Sequence, residues 1–405
     1  MLKIFNTLGK KTEVFRPVNE KVVTVFTCGP SVYQRSHIGN FRTFLFEDIL
    51  IRYLEYLGHR VKRGMNFTDI EDKAIKEAEK ERVSVKVLTQ KNIKTFLQEM
   101  NLLRIKTPDY LPKASEAVPK AANIIEKLLD LGVAYWHKGN VYFDPLKYPG
   151  FGELYGLDMR TWPVEKRRFH KDTYPGMRWN RGDFILWHGY KKQGEVCWDT
   201  KIGKGRPSWN VQDPSMITRY FNETLSIYCG GLDNLIRHHD YSRAVLESIR
   251  PYPMARFWLH CYHLYVNGEK MSKGKGNVYH TDTLLKQGYT ISEIRFFLIY
   301  GHYRKTLNYS NRNMALASEK LRTLKEMAHS IESIASQTGD HDRNVIKRIK
   351  QLFTEKMDND LDVKGAFDEV CGFISAVDAG RLNPAAASGI IHALREIDGV
   401  LRVTF

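Results

Sequence analysis

Two groups of residues have types and spacing suited to holding phosphate. The first is His37-Ile38-Gly39-Asn40, set between a β-branched run and a segment with helical periodicity. A helix that opens there presents free amides and the positive end of its dipole to an anion. Gly39 lets the backbone approach closely. His37 and Asn40 can both donate hydrogen bonds. Alone, the tetrapeptide is also compatible with an ordinary helix cap and an incidental histidine. The second group is Gly268-Glu269-Lys270-Met271-Ser272-Lys273-Gly274-Lys275-Gly276-Asn277. Lys270 and Lys273, three apart in a glycine-rich loop, can bring two ammonium groups onto one polyphosphate. Preplaced cations of that kind stabilise charge developing on a leaving pyrophosphate. Alone, such a run is also a solvated basic loop. Its spacing is not that of a P-loop, which excludes a Walker-type ATPase.

Elements must position these groups. Residues 22–28 (VVTVFTC), ended by Gly29-Pro30, read as a buried strand running into a turn. From Phe41, apolar residues at 44, 49, 50, 53, 54 and 57 predict an amphipathic helix stopped by Gly58. Residues 61–65 read as a second strand. Strand, turn, helix, strand begins a βαβ unit and so a parallel sheet. Residues 84–135 alternate helical periods with loops at Thr107-Pro108 and Leu111-Pro112. Residues 136–200, with short β-like runs at 140–143 and 184–187, read as an irregular α+β insertion. Residues 226–231 and 257–266 read as further strands of the main sheet. From Ser292 the pattern is helical to the end, broken at 337–344.

Composition narrows the class. The chain has 405 residues, 42% hydrophobic and 12% aromatic, enough to build a core and to exclude a disordered chain. Five scattered cysteines without a CxxC pair fit a reducing compartment. No secretory leader or spanning stretch is read, so the expectation is a soluble cytoplasmic protein. A net charge of +16 favours an anionic partner, nucleic acid or a phosphorylated ligand. Residues 160–181 interleave Arg and Lys with Trp, Phe and Tyr, a composition suited to tracking and stacking a nucleic-acid strand, or to a snorkelling surface.

HIGN and KMSKG together resemble the HIGH and KMSKS signatures of class I aminoacyl-tRNA synthetases. The chain is most similar to the cysteinyl-tRNA synthetases nearly end to end. LKIFNTLGKKTEVF, TCGPSVYQRSHIGNFRTF, MNFTDIEDKAI, FILWHGYK, GKGRPSW, SIYCGGLDNLIRHH, FWLHCYHLYVNGEKMSKGKGN and FTEKMDNDLD follow in that family's order. The resemblance implies an α/β fold, a Rossmann-type parallel-sheet catalytic domain split by an α+β insertion and followed by a helical bundle. The expected limits are 1–115 and 201–290 for the catalytic halves, 116–200 for the insertion and 291–405 for the linking and bundle region. The implied enzyme is an ATP-dependent, AMP-forming ligase. With Mg2+-ATP it forms an aminoacyl-adenylate and passes the acyl group to an acceptor, tRNA or a small amine as in mycothiol synthesis. A non-catalytic RNA-binding descendant is a further alternative, disfavoured by the retained ATP residues.

Residue by residue, the resemblance gives His37 and Asn40 contacts to phosphates, and Lys270 and Lys273 the pyrophosphate side. Gly39, Met271 and Ser272 fall to ATP, as do Gly231 and Asp233 in the ribose-contacting turn. Thr68 and Trp209 match the amino-acid pocket. Asn40 stands for the second histidine of the signature and Gly274 for its final serine. The larger departure concerns zinc, which in the family binds the substrate thiolate through two Cys, a His and a Glu. Cys28 and His238 match, but Asp213 replaces the second Cys and Ser242 the Glu. Cys28, Asp213 and His238 remain a candidate three-ligand set with an open position, with Cys229 and His239 nearby. Without metal, Cys28 is a small buried hydrophobe and Asp213 a pocket acid suited to a cationic group. For the region after the helical segment 385–402, the expectation is a bundle without the family's terminal anticodon-reading module.

Overall fold

The computed structural model describes residues 1–157, 183–191, 193, 195–335 and 341–405. The basic-aromatic stretch 160–181 lies outside them. Four strands form a parallel sheet in the spatial order Ala255–Cys261, Leu225–Gly231, Val23–Thr27, Val61–Met65. Chain order and spatial order diverge from the first strand, Val23–Thr27, whose two neighbours are the second and the third strand in sequence. Between it and Leu225–Gly231 lies a topological switch point, where an open α/β sheet leaves a crevice at its carboxyl edge. Both strands are buried along their whole length, as continuous apolar runs covered on two faces must be. Alternate side chains feed two cores: Val25 and Ile227 join one, Phe26 and Tyr228 the other.

The first core extends over helix Ile38–Tyr56 to the C-terminal helices. The predicted helix therefore starts three residues before its apolar period, because His37 caps it. The strand expected at 61–65 is present. The second core is shared with an antiparallel sheet of Ala134–His137, Asn140–Phe143, Phe184–Gly189 and Gly205–Pro207. The run at 257–266 is not one strand. Ala255–Cys261 ends the parallel sheet, and Tyr262 N–H then bonds Tyr303 O at 2.8 Å, turning the chain away. Leu264–Val266 pairs instead with Glu269–Lys270 and with Leu307–Tyr309. That last strand interrupts the helical tail, and its three residues are too few to reveal a period of two.

Helices Ile291–Ile299, Asn311–Glu332, Arg343–Met357, Val363–Ser375 and Pro384–Leu401 complete the fold. Arg295, fully buried, ties them to helix Ile38–Tyr56: it bonds Asp48 Oδ2 at 2.6 Å, Leu401 O at 2.7 Å and Leu103 O at 2.8 Å. The N-terminal strand Lys3–Asn6 bridges the two regions. Its backbone bonds Asp358 and Asp360 on one side, and the following Thr7 N–H bonds Trp258 O at 2.9 Å on the other. Among the described residues no helix is long and apolar enough to cross a membrane.

Candidate active site

The crevice at the switch point holds a cavity of about 400 Å³, within the ~300–1,000 Å³ usual for small-molecule sites. Cys28 and Gly29 follow the first strand beside it, Gly231 ends the third and Asp233 follows it. Gly29 is obligatory: a Cβ there would lie 1.8 Å from Asn66 O.

His37 and Asn40 enter from the helix start. Asn40 N–H donates to His37 Nδ1 at 3.3 Å, and His37 N–H donates to Asn40 Oδ1 at 3.0 Å. This reciprocal pair is a capping box with asparagine in the third position. Burial, with His280 nearby, lowers His37 to about 4, so the ring is neutral. Its Nδ1 accepts, which leaves its one proton on Nε2. Asn40 spends its carbonyl on the cap and keeps its NH2 group as a donor.

The second motif folds as a hairpin. Asn267 and Gly268, with φ of 50° and 80°, turn Leu264–Val266 back along Glu269–Lys270. Ser272 N–H and Lys270 O are bridged by the Asn277 amide, at 2.9 and 3.3 Å. Lys270 and Met271 line the cavity. A Cβ on Gly39 would meet Met271 Cε at 2.4 Å, so this glycine lets the two motifs touch. Lys273 lies in the short turn Lys273–Lys275 beyond them.

The residues expected to select the amino acid are placed less uniformly. Cys28 and Trp209 line the cavity, whereas Thr68, Asp213, His238 and Ser242 lie behind it. Trp209, 37% exposed, stacks on His238 with centroids 5.0 Å apart. Asp213 is fully buried and does not reach the cavity as a free pocket acid. Its Oδ2 accepts from Tyr228 Oη at 2.6 Å, His238 Nε2 at 3.0 Å and Cys28 Sγ at 3.2 Å. Its Oδ1 accepts from Asn66 Nδ2 at 3.0 Å. Burial opposes the charge on Asp213, but His238 and these donors outweigh it and hold the carboxyl below its usual range. Burial, then Asp213 beside it, pushes the Cys28 thiol well up.

Behind Cys28 runs a chain that the sequence did not reveal. Cys28 Sγ lies 3.0 Å from His239 Nε2, His239 Nδ1 lies 2.8 Å from His260 Nε2, and His260 Nδ1 lies 2.8 Å from Thr7 Oγ1. Burial lowers both imidazoles, His260 to about 3, so both are neutral. Each then carries one proton, and donation runs from Thr7 through the rings to the sulfur. A wide turn over Leu235–His239 makes this possible by aiming His238 at Asp213 and His239 at Cys28. Glu71 was also missed. It lines the cavity, burial raises its carboxyl, and its Oε1 is buried with no partner among the described residues. The only sequence signal was an acid at the start of helix Asp72–Glu81.

The thiol, carboxylate and imidazole donors of Cys28, Asp213 and His238 lie within 4.8 Å of one another. A zinc ion on this set would replace the bonds from Cys28 and His238 and share the Asp213 carboxylate with the Tyr228 and Asn66 donors. Ser242 supplies no fourth ligand, its buried Oγ having no partner among the described residues. On donor chemistry the set does not fit the zinc of the resembled family.

A parallel sheet with a phosphate-type helix start and a lysine hairpin over one switch-point crevice defines a nucleotide-binding α/β enzyme of the class I synthetase type. Residues 14–319 match the model of the tRNA synthetase class I (C) catalytic domain. A cysteine–tRNA ligase of Chlamydia pneumoniae is 35% identical over 99% of this chain and 86% of its own length. One of Brachyspira hyodysenteriae is 33% identical over 98% and 85%. The fold is also similar to that of Mycobacterium tuberculosis methionyl-tRNA synthetase in complex with methionyl-adenylate, with a TM-score of 0.65 and 13% identity over 95% of this chain and 90% of that one. The chain belongs to the class I aminoacyl-tRNA synthetases, a family of ATP-dependent ligases, in the branch that holds the cysteine–tRNA ligases.

Proposed function

We propose that the protein activates an amino acid with Mg2+-ATP and transfers the acyl group to tRNA. The observation that carries this reading is the meeting of the His37–Asn40 cap and the Lys270–Met271 hairpin over one cavity. The amino-acid carboxylate attacks the α-phosphate, and the bond to the bridging oxygen breaks as pyrophosphate leaves. An acceptor hydroxyl then attacks the mixed anhydride, and AMP departs with the bond electrons. No protein nucleophile takes part; positioning and charge stabilisation supply the catalysis. The His37 Nε2–H and the Asn40 NH2 donate to the phosphates. Lys270 and Lys273 offset charge on the pyrophosphate, with Met271 and Ser272 setting their loop. Gly39 and Gly231 admit the nucleotide, and Asp233 accepts from its ribose. Cys28, Thr68 and Trp209 belong to the amino-acid side of the site.

A net charge of +16 supports a polyanionic acceptor, as do relatives named as tRNA ligases. Transfer to a small amine is the second reading, favoured by the altered pocket. The reading assigns 1–115 and 201–290 to the catalytic domain, 116–200 to the insertion and 291–405 to the bundle, working in the cytoplasm. ATP–pyrophosphate exchange across the twenty amino acids tests activation, and charging of total tRNA tests the acceptor. Exchange is expected with one or a few amino acids, and it falls by ~10²–10³ in Lys270→Ala. Exchange with none of them overturns the proposal. Exchange without charging shifts the acceptor to an amine.

A further inference from the structure

We propose that the floor of the amino-acid pocket is a metal-free hydrogen-bonded cluster centred on Asp213. The pocket then selects a small, uncharged side chain through the Cys28 thiol and the Trp209 ring. The claim about the substrate rests on the activation proposed above; the claim about the metal does not.

Four observations converge. A carboxylate offers about four acceptor sites, and Asp213 has four donors on it, from Tyr228, His238, Cys28 and Asn66. Tyr228 is the decisive one. Its Oη sits 2.6 Å from Asp213 Oδ2 and 3.4 Å from Cys28 Sγ, against two of the three candidate ligands at once. A neutral phenol beside His238 gives the buried carboxylate a further donor without a metal cation. On its far side the Cys28 sulfur receives the donor chain from Thr7 through His260 and His239. The carboxylate and the sulfur are thus satisfied from within, while the buried His238 Nδ1 alone in the cluster has no partner among the described residues. Of its members, only Cys28 reaches the cavity, with Trp209 beside it. At the floor a substrate side chain meets a thiol and an indole, neither of which offers charge, and Glu71, which lines the same cavity, is left to the substrate's α-ammonium.

The test begins with the zinc content of the purified full-length chain after dialysis. Well under one zinc per chain is expected. One zinc per chain that is lost in Asp213→Asn overturns the proposal. Co2+ titration supplies the contrast. The wild type is expected to show no thiolate-to-cobalt absorption, and the double variant Asp213→Cys/Ser242→Glu to gain it at about one ion per chain. Should the double variant not fold, Tyr228→Phe, which removes one donor and keeps the ring, is titrated in its place and is expected to bind Co2+ more tightly than wild type. Equal absorption in wild type and variant overturns the cluster. Exchange measured with and without chelator addresses the substrate. Chelator-insensitive exchange with a small uncharged amino acid is expected, and exchange with lysine or arginine overturns the selectivity. Absence of all exchange overturns the activation reading and leaves the zinc measurement to decide the floor on its own.

Discussion

Asn40 does two jobs that its residue type alone does not reveal. Its carbonyl closes the cap of helix Ile38–Tyr56 and its NH2 group remains free for a phosphate. Asn40→Asp keeps the acceptor and places a negative charge where an anion binds. It is expected to leave the urea midpoint within error while lowering the exchange rate by ~10² or more; a matching loss of stability would reduce Asn40 to a cap. Glu71 makes a second case. A buried carboxylate oxygen without a donor is costly, and an ammonium in the cavity would satisfy it. Glu71→Gln is expected to raise KM for the amino acid ~10-fold, since one charged hydrogen bond is worth ~1.5–3 kcal/mol, and to leave KM for ATP unchanged. The motif residues were legible because their types carry chemistry at fixed spacing. Tyr228, His260 and Glu71 were not, and His239 was legible only as a nearby spare ligand, because each gains its role only from a neighbour that the fold supplies. The resemblance exposed the changes at Asp213 and Ser242, yet only the packing shows that Asp213 is buried behind Cys28 and does not line the cavity.

Elements show the same division. The strand Val61–Met65 and the start of the βαβ unit follow from local pattern, whereas the split of 257–266 between two sheets follows from the chain turning at Tyr262, which no local period encodes. Arg295 lay within a stretch read simply as helix. In the fold it carries the junction of helix Ile291–Ile299, helix Ile38–Tyr56 and the last helix, paired with Asp48 where both side chains are fully buried. Replacing a buried pair with apolar groups can be neutral, but removing one partner strands the other. Arg295→Ala is accordingly expected to destabilise the protein by ~3–5 kcal/mol, read from urea unfolding. A loss below ~1 kcal/mol would mean that Asp48 finds enough compensation from Arg52, 2.9 Å away.

At the scale of the whole molecule, buried histidines set an acid limit. Burial lowers His37 and His188 to about 4 and His260 to about 3, helped at His37 by His280 and at His188 by Arg206. Unfolded, each binds a proton near pH ~6.5. Below that pH the unfolded chain takes up protons that the folded chain refuses, so it is favoured. Stability is therefore expected to be full above pH ~6.5 and to fall as pH drops toward ~4, seen as a declining urea midpoint; a flat profile would mean that the rings are not held neutral. The strand Lys3–Asn6 has a consequence of another kind, in the order of synthesis. Phe5 bonds Asp360, 355 residues later, and Asn6 bonds Arg256, 250 residues later. At ~5–20 residues per second, the first strand leaves the ribosome roughly 20 to 70 seconds before its farther partner is made. Through that interval its hairpin with Lys11–Val14 has one edge without its native partner, which another strand can capture. Nascent chains arrested before residue 358 are expected to expose residues 1–6 to protease and to holdase chaperones, and completed chains to protect them. The earliest residues to be translated are thus among the last to find their place.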